Sequence, residues 1–362
     1  MIAETTVPQR QVSPTELVNL SEKDLAETAN FIAVQSGRTS ETVESHLRWF
    51  LLQNPARRPQ DPLGFGLRAV DQLVGCILCS PQVFRFGANQ ILFMGSSSFY
   101  VDPPHRGQGG RIFLRYCRLG KEFPLFGTSA NAEAAALWRA AGASPIPYSE
   151  GELFGVLRWP PVAEEFAHRR DANKLLRRVA GSSFANLAGL FRPLKIIENS
   201  SDSLRMLTSA EQVNDLLIEN SSAKLTAIRD LPYIRWRYFS GRDATTAAFA
   251  FRHETGRQTL VTVNQRVRGY RGQIKTLNVL DLYPEATAEE WVRIVGALIA
   301  HYKNGVDAIV LRSQSPDRQR MFCEKGFRWR AFDAPLGWFL DKGKRLENAA
   351  WYPVPADGDG LI

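Results

Sequence analysis

Apolar residues gather in three successive strand-like runs, Gly64–Val70, Gln72–Ser80 and Ile91–Val101, parted by turns at Asp71 and Phe86-Gly-Ala-Asn-Gln90. Runs of that length broken by turn residues predict an antiparallel meander. Ahead of it, Leu17–Leu20 reads as a strand, and Ser21-Glu-Lys-Asp caps a helix reaching about Gln35. A second helix is expected over Thr39–Leu52, where Val43, His46, Leu47, Trp49, Phe50 and Leu51 make a broad apolar face; His46 reads there as a packing or surface residue. The Pro- and Arg-rich stretch 54–62 is a loop. Beyond the meander a glycine-rich turn opens a helix, followed by a strand at Pro124–Ser129, an Ala-rich helix at 131–142 and a closing strand at Gly151–Trp159.

The same plan recurs downstream. Strands are expected at Thr246–His253, Thr259–Val267 and Ile274–Tyr283, then a helix from about Thr287 to Tyr302, a strand at Ala308–Arg312, a helix at Pro316–Lys325 and a strand at Trp338–Leu340. Ser315–Phe327 lays over Asn131–Ala143, with Met321, Phe322 and Gly326 matching Leu137, Trp138 and Gly142. A helix opens at Ser209, and Arg229-Asp-Leu-Pro-Tyr-Ile-Arg-Trp-Arg-Tyr238 forms an aromatic and basic knot. The predicted division is therefore 1–160, a linker at 161–199, 200–345, and a tail at 346–362.

Composition alters this picture little. A chain of 362 residues with 44% hydrophobic and 23% charged residues suits two soluble globular units. The net charge of +8 invites an anionic partner, but no nucleic-acid motif accompanies it, so nucleic acid is an unfavoured partner. Four scattered cysteines make no disulfide framework, and Cys76-x-x-Cys79 lies in an apolar strand that sends its thiols to opposite faces; no metal site is expected. Without a long apolar run or a leader-like N-terminus, the expected address is the cytoplasm. Residues 164–191 interleave His168, Arg169, Arg170, Lys174, Arg177 and Arg178 with apolar positions. That segment reads as a linker helix packed between domains or as a surface lying on an anionic inner-membrane leaflet.

The chemistry concentrates in Phe99-Tyr-Val-Asp-Pro-Pro-His-Arg-Gly-Gln-Gly-Gly-Arg111, a strand end, a glycine turn and a helix start. Glycines let backbone N–H groups approach an anion, and the helix start adds unpaired donors, so a pyrophosphate fits there. Val101, Pro103, Arg106, Gly107 and Gly109 resemble the acyl-CoA-binding motif of the GNAT acetyltransferase superfamily, and Asn131-x-x-Ala-x-x-Leu-Trp138-x-x-x-Gly142 resembles its second motif. The implied fold is α+β, two tandem GNAT-like domains, each a mixed, largely antiparallel twisted sheet flanked by helices. Among such tandem proteins the chain resembles those of bacterial extracellular polysaccharide biosynthesis, through the 229–238 knot and the tail Trp351-Tyr-Pro-Val-Pro-Ala-Asp-Gly-Asp-Gly.

The resemblance implies acetyl-CoA or another acyl-CoA as co-substrate and no metal. Its binding residues would be Val101, Arg106, Gly107, Gln108, Gly109, Gly110, Arg111, Asn131 and Trp138. An amine or hydroxyl acceptor, such as a glycan precursor, would meet Arg229, Trp236 and Arg237 at the junction with the second copy, which lacks the glycine turn. Three departures stand out: Arg111 replaces a small residue, Trp138 replaces the tyrosine that would protonate the leaving thiolate, and Gly95-Ser-Ser-Ser98 replaces the usual carboxylate. Tyr100, Asp102 and His105 are the local substitutes, with a backbone N–H at Tyr100 or Val101 facing the oxyanion. The competing expectation is a catalytically silent pair that binds a glycan, lipid or protein.

Overall fold

The computed structural model describes residues 14–162, 194–195, 203–216, 224–240, 245–269, 274–344, 346 and 349–353. The basic segment 164–191 and the tail beyond 353 lie outside the described residues.

The strands are Thr15–Leu20 (β1), Gly64–Ala69 (β2), Gln72–Phe86 (β3), Asn89–Val101 (β4), Leu125–Gly127 (β5), Ser144–Pro145 (β6), Gly151–Val156 (β7), Leu204–Leu207 (β8), Thr226–Ala227 (β9), Thr246–Arg252 (β10), Gln258–Arg268 (β11), Ile274–Tyr283 (β12), Ala308–Arg312 (β13), Arg328–Ala331 (β14) and Trp338–Leu340 (β15). The helices are Leu25–Ser36 (α1), Ser40–Leu47 (α2), Gly109–Cys117 (α3), Ala132–Ala140 (α4), Leu231–Ile234 (α5), Ala288–Tyr302 (α6) and Pro316–Glu324 (α7). The expected meander is present, but β3 and β4 run to a tight turn around left-handed Gly87 and are longer than the apolar runs alone suggest. The segment from Ser209 winds as a 3-10 helix, Ala210–Leu216.

Two sheets result, in the orders β1-β2-β3-β4-β5-β15-β6, with β9 on β3, and β14-β7-β13-β12-β11-β10-β8. Each sheet is closed by a strand of the other half. The sequence pattern predicts that the strand Gly151–Trp159 closes the first half, whereas β7 sits between β13 and β14 of the second sheet; β15 reciprocally sits between β5 and β6 of the first. Packing supplies the reason. A Cβ on Gly151 would stand 2.3 Å from Trp329 Cζ2, and one on Gly155 would stand 2.6 Å from Phe327 Cε1, so these glycines make room for aromatic rings of the second half.

The internal repeat holds in detail. α4 and α7 both end at a left-handed glycine, Gly142 (φ 81°) and Gly326 (φ 97°), and bury a ring at the matching position, Trp138 and Phe322. α2 and α5 both run on into a single π-helical turn, Arg48–Leu52 and Arg235–Phe239. The two turns meet face to face: Trp49 Nε1 donates to the Trp236 carbonyl at 2.8 Å, Trp236 Nε1 donates to the Trp49 carbonyl at 2.9 Å, and the rings stack 5.6 Å apart. A single core runs from α1 and α2 through these indoles to Ile234, Tyr238 and Leu280. Cys76 belongs to this core while Cys79 lies in the core beneath α3 and α4, on the other face of the sheet.

Candidate active site

β4 and β5 pair in parallel only at Met94–Leu125 and Gly95–Phe126, after which β4 continues to Val101 and the strands diverge. Tyr116 of α3 seals the apex, its hydroxyl donating to the Met94 carbonyl at 2.7 Å and lying 3.2 Å from that of Phe126. Burial pushes its phenol well above the ordinary value, so it stays a neutral donor. Phe113 and Trp138 pack edge to face at 5.2 Å beside it. Gly127 admits no side chain, since a Cβ there would stand 2.7 Å from Ser96 Oγ and 3.1 Å from Trp138 Cζ2.

The divergence opens a cleft of about 510 Å³ lined by Gln35, Ile77, Ser96–Val101, Arg106, Gly109, Gly110, Phe113, Gly127–Asn131, Glu133, Ala134, Leu137 and Trp138. Its β4 wall carries a bulge, where the β3 partner register shifts between Cys76 and Leu78 and Ser98 takes a left-handed φ of 49°. Past the bulge, the Asp102 N–H donates back to the Val74 carbonyl of β3 at 2.8 Å. Successive amides of a strand point to opposite edges, so the Val101 N–H faces away from β3 and into the cleft. Of the two amides expected to face an oxyanion, that of Val101 is turned to the cleft and that of Tyr100 to β3.

The glycine turn is tighter than an open loop. Pro103–Gln108 winds as a 3-10 helix that runs into α3, and the Gly109 N–H donates to the Arg106 carbonyl. Gly109 is buried, its would-be Cβ 3.4 Å from Val101 Cγ2, whereas a Cβ at Gly107 or Gly110 would meet nothing within 4 Å. Arg106, Gly109 and Gly110 line the cleft; Gly107, Gln108 and Arg111 do not. Arg111 is turned to β1, donating to Thr15 Oγ1 and Gln108 Oε1 at 3.0 Å each, so it neither crowds the cleft nor offers it a cation. Asn131 lines the cleft as the N-cap of α4, accepting from the Ala134 N–H at 2.8 Å. Trp138 forms the buried floor.

Of the substitutes for a catalytic carboxylate, Tyr100 lines the cleft. Asp102 stands beside it, accepting from Gln35 Nε2 at 2.6 Å, and His105 lies outside the lining. Serines 96–98 make the wall where the GNAT resemblance implies a carboxylate, and Glu133, at the start of α4, is the one acidic lining residue among those described.

The three residues expected to meet an acceptor serve other purposes. Arg229 is fully buried, donating to both oxygens of Asp281 (2.9 and 3.3 Å), to Thr226 Oγ1 at 3.2 Å and to the Ala227 carbonyl; its guanidinium is committed to a core ion pair. Trp236 makes the indole exchange described above, and the buried Arg237 guanidinium lies over Trp49, Phe50 and Trp236 at 5.5–5.9 Å. They sit at the junction of the halves, and none lines the β4/β5 cleft. His46 stacks on Phe50 at 5.8 Å in this cluster, and burial together with Arg237, Arg38 and Arg266 pulls its pKa down to about 4.

The second copy has the same geometry with Tyr352 set into the gap between its strands, and the pocket of about 450 Å³ beside it is lined by Lys224, Glu285–Ala288, Ser313, Ser315, Arg318 and Tyr352. β12 and β13 pair from Thr276–Ala308 to Val279–Leu311 and then part, beside a bulge in β12 that repeats the one in β4. Tyr352 fills the gap, its hydroxyl donating to the Leu282 carbonyl at 2.8 Å and its ring facing the Arg318 guanidinium at 5.9 Å. Trp351, next along the chain, packs edge to face on Phe84 and Phe339. The sequence signal for this placement was the aromatic pair at 351–352, which composition alone could not distinguish from a loose tail.

No protein-family model matches the chain, and no curated protein sequence matches it. Solved structures do. A GCN5-related N-acetyltransferase from Anabaena variabilis ATCC 29413 superposes over 94% of this chain and 76% of its own, with a TM-score of 0.57 and 13% identity. Saccharomyces cerevisiae N-myristoyltransferase with bound myristoyl-CoA covers 93% and 84%, with a TM-score of 0.55 and 12% identity. A protein from Enterococcus faecalis V583 described as a probable N-acyltransferase covers 90% and 72%, at 0.53 and 11%. At such identities the likeness concerns fold. The chain is a pair of tandem GNAT-like domains, each a mixed sheet flanked by helices, with their terminal strands exchanged.

Proposed function

We propose that the chain is an acyl-CoA-dependent N- or O-acyltransferase that works in the β4/β5 cleft of its first half, with an amine or hydroxyl acceptor of the sugar-precursor kind. The observation that carries the reading is the coincidence, in one cleft, of the strand divergence, the Val101 amide and the Arg106–Gly110 turn. Structural neighbours solved with myristoyl-CoA support an acyl-CoA ligand.

Arg106 and the start of α3 would hold the pyrophosphate, with Asn131 along the cofactor arm. The acceptor's lone pair attacks the thioester carbon, the carbonyl oxygen gathers charge against the Val101 N–H, and the C–S bond breaks to release the CoA thiolate. Tyr116 is engaged with strand carbonyls and Trp138 has no acidic hydroxyl, so the proton shed by the acceptor nitrogen or oxygen returns to the thiolate through Tyr100, the serines or solvent. Rate enhancement then comes chiefly from positioning, which can supply about 7–11 kcal/mol of a barrier. The absence of an acid on the β4 wall favours a second reading, a catalytically silent pair that binds a glycan, lipid or partner protein. The expected surroundings are cytoplasmic; no helix among the described residues is long and apolar enough to cross a membrane.

Calorimetric titration with acetyl-CoA tests the reading. Gly110→Trp, at a cleft-lining position where an added Cβ meets nothing within 4 Å, should abolish binding, and Arg106→Ala should weaken it roughly tenfold, the loss of one charge-assisted contact. No binding by the wild-type chain, or wild-type binding by Gly110→Trp, would refute the assignment. Binding with no thiol release over a panel of amines and amino sugars would select the silent reading.

A further inference from the structure

In the second sheet three arginines converge on one carboxylate. Glu152 of the exchanged strand β7 is buried, and it meets Arg268 at 3.0 Å, Arg312 at 3.1 Å and Arg330 at 3.5 Å. Arg312 and Arg330 flank it in register on β13 and β14, and Arg268 reaches it from the end of β11 while also donating to Asn278 Oδ1 at 2.9 Å. One carboxylate for three guanidinium groups leaves a surplus of two positive charges among the described residues. The arginine side chains are 29%, 33% and 50% exposed, so solvent or a solute reaches them. The crowding is felt: burial, with Arg312 and Arg330 adding to it, holds Arg268 below the ordinary arginine value.

A small cavity of about 50 Å³ borders both sites. Thr128 lines the cavity and the cofactor cleft alike, while Arg312 of the cluster and Gly151, next to Glu152, line the cavity together with Phe126 and Trp351. We infer that Arg268, Arg312 and Arg330 form an anion subsite for the acceptor, which therefore carries a phosphate monoester, and that its nucleophilic end reaches the thioester past Thr128. Planar forks around a fixed carboxylate suit a dianion, whose charge would balance the surplus and relieve the mutual repulsion. The residues expected from the sequence to serve the acceptor are committed elsewhere, and the exchanged strand brings Glu152 from the first half to arginines of the second. The acceptor role rests on the acyltransferase reading; the anion site does not depend on it.

The test titrates the full chain with O-phosphoethanolamine, ethanolamine and inorganic phosphate, with and without saturating CoA. The phosphorylated amine should bind at least tenfold more tightly than ethanolamine, with CoA present as well as absent, and weaken as salt rises. Arg330→Gln and Arg268→Gln, which keep most of the side-chain length, should each lose roughly tenfold while CoA affinity stays unchanged. Equal binding of the two amines, equal binding by the variants, or displacement of phosphate by CoA would overturn the subsite. Tight phosphate binding at the cluster in a chain that binds no CoA would overturn the acceptor role and place the failure in the acyltransferase reading.

Discussion

Replacing Arg229 separates a structural arginine from an acceptor-binding one. Both side chains of the Arg229–Asp281 pair are fully shielded from solvent, and Tyr238 donates its hydroxyl to the same carboxylate. In Arg229→Met the stem is largely kept and the charge is lost, so Asp281 remains in the core with the Tyr238 hydroxyl as its remaining donor from this network. Breaking a buried pair from one side costs about 3–5 kcal/mol. In Arg229→Met/Asp281→Leu no charge is stranded; the Thr226 and Tyr238 hydroxyls and the Ala227 carbonyl lose partners, at about 1 kcal/mol each, offset in part by apolar packing. The double variant should thus be more stable than the single one, with a coupling of at least about 2 kcal/mol. Urea unfolding followed by tryptophan fluorescence measures all the arms. A single variant within about 0.5 kcal/mol of wild type, the usual range for a surface substitution, would refute the buried-pair account and return Arg229 to the acceptor.

Three further outcomes are expected. His46 is held neutral by burial: its folded pKa of about 4 lies below the ordinary value of 6.5, so the unfolded chain takes up the proton first and stability falls as pH drops through that window, by up to about 3 kcal/mol. His46→Gln should flatten that part of the stability–pH curve, and an unchanged slope would contradict the assignment. Tyr352→Phe should lose about 1 kcal/mol through the bond to the Leu282 carbonyl, and Tyr352→Ala about 3–5 kcal/mol through the emptied gap between β12 and β13, both read by thermal unfolding. In the native chain a thiol reagent should label the exposed Cys323 and spare Cys76, whose thiol burial pushes up to about 12, together with the buried Cys79 and Cys117; labelling of all four without denaturant would show that the cores open readily.

The sequence by itself determined what depends on local order: the meander from runs parted by Asp71 and Phe86–Gln90, the glycine turn, the nine-residue helices α4 and α7 ended by Gly142 and Gly326, and hence the doubled fold. Those signals are short-range, set by backbone freedom at glycine and by apolar spacing, and they survive without knowledge of partners. Of the residues the sequence singled out for the cofactor, Val101, Arg106, Gly109, Gly110, Asn131 and Trp138 line one cleft. Tertiary structure alone decided which sheet each closing strand joined; the rings of Trp329 and Phe327 lie against β7 where only glycine, at 151 and 155, leaves room for them. It likewise turned Arg111 to Thr15, withdrew Arg229 into an ion pair with Asp281, set Trp49 against Trp236, and carried Glu152 to three arginines. An arginine reads the same in a sequence whether it meets a ligand or a buried carboxylate. The partner decides, and in each of these cases it lies dozens to hundreds of residues away along the chain, beyond the reach of any local pattern.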